Sequence, residues 1–324
     1  MRKYLSKRFF IILLIMGLMV ICNQNVWAAQ GGARPVSMGG AFVALADDAN
    51  ASTWNPAGLA WQKDQEFSAS ATINARNDYI TGDFISDDYI VYTKQLGQTD
   101  SKSGSVGVYY QNSTYENEIT RSKTILMQPG IAYGRQFFSS ENMAWGVSLN
   151  YFNFKSEIPG ISSSDTAISL NAGFLWYMSE KMALGLLVEN INEPTFTIHG
   201  VNSRLIRVWR PGLAYYMNES TVLTCDIYDL TGNTQDRGSD YSQNVRLGME
   251  HYFNDDFSLR LGAHNPNSSM DSSKYYSLGL GWQYAEFFVT HPVCYYFDYT
   301  FVYWQDPAVG NEDYLHQFGI SCKF

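Results

Sequence analysis

The residue types able to do acid–base or covalent chemistry are present in this chain, but they are not spaced to do it. Its five histidines, His199, His251, His264, His291 and His316, stand apart from one another, and none sits in a triad, HExxH or SxxK arrangement. A triad assembled in space stays open, because such sites are recognised by geometry and not by order along the chain. Beyond residue 28 three widely separated cysteines remain, Cys225, Cys294 and Cys322. With no CxxC and no His–Cys cluster, they form neither a disulfide framework nor a metal site. The expectation is therefore no enzyme, no cofactor and no metal. What the charged residues can do is pair: Asp47 and Asp48, adjacent in DDANAST, are matched by Arg210, Arg246 and Arg260 in three later strand-like segments.

Those arginines belong to a long region of alternating sequence. In AWGVSLNY, Trp145, Val147, Leu149 and Tyr151 share one face and Ala144, Gly146, Ser148 and Asn150 the other. In NVRLGMEH, Val245, Leu247 and Met249 oppose Arg246, Gly248 and Glu250; in YSLGLGWQ, Leu278, Leu280 and Trp282 oppose Ser277, Gly279, Gly281 and Gln283. Period-2 alternation marks strands. A soluble sandwich alternates too, with charged residues dominating its wet face. Here the second face is mostly glycine, small or polar, which suits the interior of a wide barrel whose bulky face meets lipid.

Connections alternate in length. Short links are expected at 137–142, 178–181, 217–220, 253–256 and 283–286, and long ones at 112–123, 155–164, 190–205, 230–240, 264–273 and 304–313. Outer-membrane barrels show this asymmetry between periplasmic turns and external loops. The count from Glu66 is fourteen strands, in hairpins of about forty residues, with QPGIAY echoed by RPGLAY and RLGME by RLGAH. Propeller blades recur at a similar period but hold four strands each, not two. The terminal YLHQFGISCKF puts His316, Phe318, Ile320, Cys322 and Phe324 on one face, as a last strand closing on the first requires. Paired aromatics such as Trp176-Tyr177 and Tyr275-Tyr276 fit interfacial girdles, or ordinary strand propensity.

The chain begins with a basic MRKYLSKR, an apolar FFIILLIMGLMVI and a Val26-Trp27-Ala28 cleavage site, the three parts of a secretory signal peptide. Its apolar run falls short of the roughly 20 residues a spanning helix needs. Charged residues make up 16% against 15% aromatics, and the net charge is −9; the first suggests a surface not mainly in water, the second argues against nucleic acid as a partner. The expected division is a signal peptide over 1–28, an N-terminal segment over 29–65 and an all-β transmembrane antiparallel barrel over 66–324.

A barrel of this size is too wide for its own side chains to fill. Residues 31–61 are neither strand nor loop, and they supply a plug, or hatch. MGGAFVALA predicts a slim helix passing inside a ring of inward glycines, Gly130, Gly146, Gly173, Gly212, Gly248, Gly262 and Gly279. DDANAST supplies caps and turns, and Asn55-Pro56 forces an extended residue before a compact turn at AGLA. Asp47 and Asp48 would tether this plug to Arg210, Arg246 and Arg260. The plainer alternative is an N-terminal helix on a soluble domain with its aspartates solvated.

The stretch GARPVSMGGAFVALADDANASTWNPAGLA closely resembles the N-terminal signature of the FadL-like outer-membrane proteins, including their PorV-type branch and spirochaete relatives. The resemblance implies a fourteen-stranded barrel with a hatch in a bacterial outer membrane, and it marks Asp47, Asp48, Asn55, Pro56, Ala57 and Gly58 as hatch positions. FadL-like members carry hydrophobic small molecules; PorV-type members receive exported proteins for a secretion machinery. Two readings follow: passive uptake of a hydrophobic small-molecule ligand through a lipid-embedded barrel, or a secretion component that binds secreted proteins. Uptake of an apolar solute calls for a lateral way out, and a strand proline, which removes a ladder hydrogen bond, would provide it at Pro129, Pro211 or Pro292.

Overall fold

A computed structural model describes residues 31–74, 83–97, 103–117, 120–137, 140–233, 244–264, 274–288, 291–306 and 311–324. The expected signal peptide lies outside them. Fourteen antiparallel strands close into a barrel, each hydrogen-bonded to its sequence neighbour, with the last returning to the first. In chain order the strands are β1 (Glu66–Asn74), β2 (Asp83–Gln95), β3 (Ser105–Asn117), β4 (Ser122–Gln136), β5 (Met143–Ile158), β6 (Ile161–Ser179) and β7 (Met182–Glu189). Between β7 and the next wall strand, β8 (Thr195–Ile198) and β9 (Val201–Arg204) pair as a separate two-stranded sheet. The wall resumes with β10 (Val208–Asn218), β11 (Thr221–Tyr228), β12 (Asn244–Tyr252), β13 (Phe257–His264), β14 (Lys274–Phe288), β15 (His291–Asp306) and β16 (Asn311–Lys323).

Closure runs from Glu66↔Lys323 to Asn74↔Leu315. It is extended by Gln65 and Phe324, whose backbones exchange hydrogen bonds of 3.1 and 3.0 Å. The terminal strand thus leaves no edge, as a wall that must satisfy its backbone hydrogen bonds internally requires. Alternation sets the two faces. Val147, Leu149, Tyr151, Val245, Leu247, Leu278, Leu280, Trp282, Phe318 and Ile320 are exposed on the outside, while Ser148, Asn150, Arg246, Glu250, Ser277, Gln317 and Ser321 are buried on the inside. An apolar band of this extent is costly in water and stable in hydrocarbon.

Connections differ from the expectation in four places, one of them 304–313, most of which is strand because β15 and β16 pair out to Asp306↔Asn311. Residues 155–164 form no long loop: β5 and β6 run on to the Ile158↔Ile161 pair. Pro159-Gly160, with Gly160 at φ 81°, is the proline–glycine pair that a tight type II turn accepts. Most of 112–123 is likewise strand, since β3 and β4 pair out to Asn117↔Ser122. The expected turn at 283–286 lies inside β14, which pairs with β15 as far as Phe288↔His291. In three of them mostly polar residues continue the ladder past the apolar band, and on the β14–β15 hairpin aromatic ones do, so a break in the alternation is not a strand end.

Residues 31–62 precede β1 and lie within the barrel. They comprise a short helix α1 (Ala33–Ser37), turns, a second short helix α2 (Ala51–Trp54) and a 3-10 helix (Pro56–Trp61). The helix expected over MGGAFVALA is displaced to ARPVS, and Met38–Ala46 is a series of turns. Gly39 and Gly40, at φ 65° and 72°, break the helix there at the low cost only glycine offers.

Candidate functional site

The internal segment fits the wall because the wall withdraws its side chains to admit it. A Cβ at Gly134 or Gly146 would fall 2.0 Å from the Pro56 carbonyl oxygen or 2.3 Å from its carbon. At Gly185 it would lie 2.4 Å from the Val43 carbonyl oxygen, at Gly262 2.0 Å from the Gly39 nitrogen, and at Gly279 2.3 Å from the Ser37 Cβ. Gly173, Gly212 and Gly248 meet Asn55, Ala44 and Met38 in the same way. Gly130 does not belong to this ring; it faces the Tyr109 ring of its own wall. These glycines lie on β4 to β7, β10 and β12 to β14, so the segment touches the wall over most of its circumference. Alanines 41, 44, 46, 49, 51 and 57, with Phe42, Leu45, Trp54 and Leu59, are almost wholly buried. Small residues on both partners let backbones approach, which explains why this stretch lacks strand alternation.

Charge anchors the segment on one side. Arg34 donates from Nε and Nη2 to the two oxygens of Glu250 on β12, at 2.9 and 2.7 Å. Its Nη1 reaches Asp47 at 2.6 Å and Asp48 at 2.9 Å. Glu250 also accepts from Arg260 Nε at 2.7 Å, and Arg260 reaches Asp298 on β15 at 2.5 Å. A chain of alternating charge thus runs from the segment into the wall. Burial by itself would lower the Arg34 pKa, but Asp47 and then Glu250 outweigh it and hold the guanidinium well above its ordinary value. Opposite charges that satisfy each other's hydrogen bonds make such burial tolerable.

Asp47 and Asp48 therefore meet Arg34, from their own segment, and the three wall arginines act elsewhere. Arg210 and Arg246 both point at the Gly40 carbonyl, 3.5 Å away; Arg210 pairs with Glu189 at 3.3 Å and lies over the Trp54 ring. Beside them Asp226 on β11 accepts the backbone N–H groups of Phe42 and Val43, each at 2.9 Å. Glu66 accepts from Ala49, Ser277 bridges Ser37 and Gly39, and Thr300 donates to Ala33. Glu250, Asp226 and Arg34 carry most of this anchoring; Arg34 lies in the signature stretch at GARP, while no motif announced the two wall carboxylates. Parity did place Glu250 inside with Arg246.

The Asn55-Pro56 step behaves as its chemistry requires. Asn55 is extended, at φ −166° and ψ 101°, and its side chain accepts from the Ala57 N–H to start the 3-10 helix. Its amide donates to the carbonyls of Val43 and Phe174, tying turn, helix and wall together. A Cβ at Gly58 would fall 1.9 Å from the Ala46 carbonyl oxygen, so only glycine lets these turns touch.

The strand prolines differ. Pro129 pairs with Tyr110 on β3, but β4 and β5 pair down to Met127↔Asn153 and resume at Gly130↔Asn150, skipping Gln128 and Pro129. Pro211 pairs with Leu186 on β7, while pairing of β10 with β11 begins only at Gly212↔Asp226. Pro292 pairs with Phe287 near the tip of the β14–β15 hairpin.

Past the segment, toward the longer loops, the inner wall changes character. Asp87, Gln111, Ser113, Gln128 and Asn150 form a polar strip across β2 to β5, with Gln128 and Tyr109 both donating to Asn150. Next to it Leu126, Phe152, Phe154 and Ala167 form a buried apolar cluster against Phe196, Ile198 and Leu205. Phe196 of the β8–β9 hairpin stacks on Phe154 with ring centroids 3.9 Å apart. The hairpin turns tightly because His199 and Gly200 both take positive φ, 50° and 79°, as a type I′ turn demands. Among the described residues no cluster of His, Cys, Asp or Glu is arranged to hold a metal ion.

No protein-family model matches the chain, and neither does any curated protein. Solved structures do resemble it in fold. The CymD monoaromatic hydrocarbon channel superposes with a TM-score of 0.60 at 11% identity, over 90% of this chain and 97% of that one. The toluene transporter TbuX of Ralstonia pickettii gives 0.58 at 11% identity, over 92% and 99%. A FadL homologue of Pseudomonas aeruginosa gives 0.56 at 10% identity, over 89% and 96%. At such low identity the likeness is one of architecture: this chain has the closed-barrel fold shared by the FadL homologue and the hydrocarbon channels.

Proposed function

We propose that the chain is a bacterial outer-membrane channel for passive passage of hydrophobic small molecules. In this reading residues 1–28 are a cleaved signal peptide, 29–65 a hatch and 66–324 the barrel. The observation that carries it is the apolar cluster of Leu126, Phe152 and Phe154 turned inward beyond the internal segment, beside the polar strip. Buried apolar side chains inside a barrel give a greasy solute a place to leave water. The solved structures similar in fold include proteins described as a monoaromatic hydrocarbon channel and a toluene transporter, which supports the same solute class. Lipid on the exposed band is the second partner.

The hatch closes the lumen on the side of the shorter links, and shifting it would clear the way. Release sideways is expected at the β4–β5 seam, because the rungs lost at Gln128 and Pro129 lie beside Phe152. A disulfide between cysteines placed at Pro129 and Tyr151, which oppose each other on the outer face, would clamp that seam. Uptake of a radiolabelled aromatic hydrocarbon into proteoliposomes should fall with the clamp and return with reductant; unchanged uptake refutes the lateral route. Mass spectrometry of protein purified from its own membrane tests the function itself. A consistent apolar ligand supports the channel, and exported proteins retained without any such ligand support the secretion reading.

A further inference from the structure

We propose that the lumen beyond the segment binds an amphipathic solute with a neutral hydrogen-bond-donating head, such as an aromatic alcohol, in preference to a plain hydrocarbon or an anionic fatty acid. This rests on the channel reading above and names the solute class more narrowly. One row of the inner wall carries it. Strand registers place Thr72, Asp87, Ser113, Leu126 and Phe154 side by side on β1 to β5. With neighbouring strands about 4.8 Å apart, Leu126 lies roughly 10 Å from Asp87 along the wall, and Phe154 roughly 14 Å. The row is polar at one end and apolar at the other, over the length of a small amphiphile.

The polar end offers acceptors. Asp87 Oδ1 accepts from Ser113 Oγ at 2.7 Å and from Gln111 Nε2 at 3.3 Å. That second bond fixes which way the Gln111 amide points, since the reverse placement would set its oxygen against a carboxylate. Gln111 Oε1 is left buried with no hydrogen-bond partner among the described residues, on a side chain whose residue is only 2% exposed. No ion pair to Asp87 occurs among the described residues. A buried acceptor without a donor is costly. A hydroxyl would supply that donor, a hydrocarbon would not, and a carboxylate would be repelled by Asp87.

The apolar end is covered in this state: Leu126, Phe152 and Phe154 are 3–5% exposed, with Phe196 stacked on Phe154. The β8–β9 hairpin that brings Phe196 is tied down by the Thr197 N–H to Asp165 at 2.6 Å and the His199 N–H to Ser163 at 2.9 Å. A solute enters by displacing this hairpin and replaces the Phe196 stack with its own ring or chain.

Equilibrium dialysis of the full chain in detergent against phenylpropanol, propylbenzene and phenylpropanoate tests this. The alcohol should bind roughly tenfold more tightly than either other compound, the worth of one good hydrogen bond. Gln111→Leu should erase the preference of the alcohol over propylbenzene; Gln111→Met provides the same comparison should the leucine variant fail to fold. Phe154→Ala should weaken the alcohol and the hydrocarbon alike. Equal binding of the two, unmoved by Gln111→Leu, would mean that water alone satisfies the acceptor; it would overturn this inference and leave the channel reading standing. Tightest binding of phenylpropanoate would also overturn it. Retention of none of the three would bring down the channel reading and this inference with it.

Discussion

The wall grips its internal segment with charge added to close fit on one side and by close fit without ion pairs on the other. Across β10 to β15 the contacts are directed and polar: Glu250 and Arg260 in the Arg34 chain, Asp226 under Phe42 and Val43, Arg210 and Arg246 at Gly40. Across β4 to β6 the 3-10 helix rests on Gly134 and Gly146 with backbone against backbone, and the Asn55 side chain rests on Gly173. A charged anchor can be loosened by a competing charge, whereas a steric seat yields only when the wall moves. Were the internal segment to shift, as the proposed function requires, the charged side would be the latch and the β4–β6 side the seat.

The comparison can be broken most strongly at Glu250. Glu250→Ala leaves Arg34 and Arg260 buried with one shared partner removed, and stability against guanidinium in detergent should fall by about 3–5 kcal/mol. The same variant should open a steady conductance in planar bilayers. Gly146→Val attacks the other side; overpacking there should cost about 1–3 kcal/mol, and a protease should cut the segment of the folded barrel. A variant as stable as the parent, with the segment still protected, would show that the seat is looser than the backbone distances imply.

Asp226→Ala should cost about 1.5–3 kcal/mol, since two backbone N–H groups lose a charged acceptor. Asp47→Asn should cost less than about 1 kcal/mol, because Asp47 is 41% exposed and water screens its pair with Arg34. Molar salt should reproduce the Asp47 effect and spare the Glu250 pair. The smallest effect is that of base. Arg34 is raised well above its ordinary value in the folded chain, so its contribution is fully present below that ordinary value and is lost only as pH climbs through the folded one. Unfolding midpoints followed from pH 7 to 10 should therefore show no loss traceable to Arg34; a fall removed by Arg34→Lys would contradict the pairing.

Alternation is local, and the chain alone therefore determined the barrel. Val147 and Leu149 face out, and Ser148 and Asn150 in, because successive side chains on a pleated strand must oppose. The same rule put Gly146, Gly248 and Gly279 inside, and an asparagine–proline pair beginning a compact turn needed only its neighbours. Which charges would meet was not local. Arg34 and Glu250 are 216 residues apart, and any inward carboxylate had an equal claim on any inward arginine. Closing the barrel decided it, by fixing strand register and bringing β12 against the segment. The place of Phe196 over Phe154 came the same way, since a loop's sequence says how it turns but not which wall it will lie against.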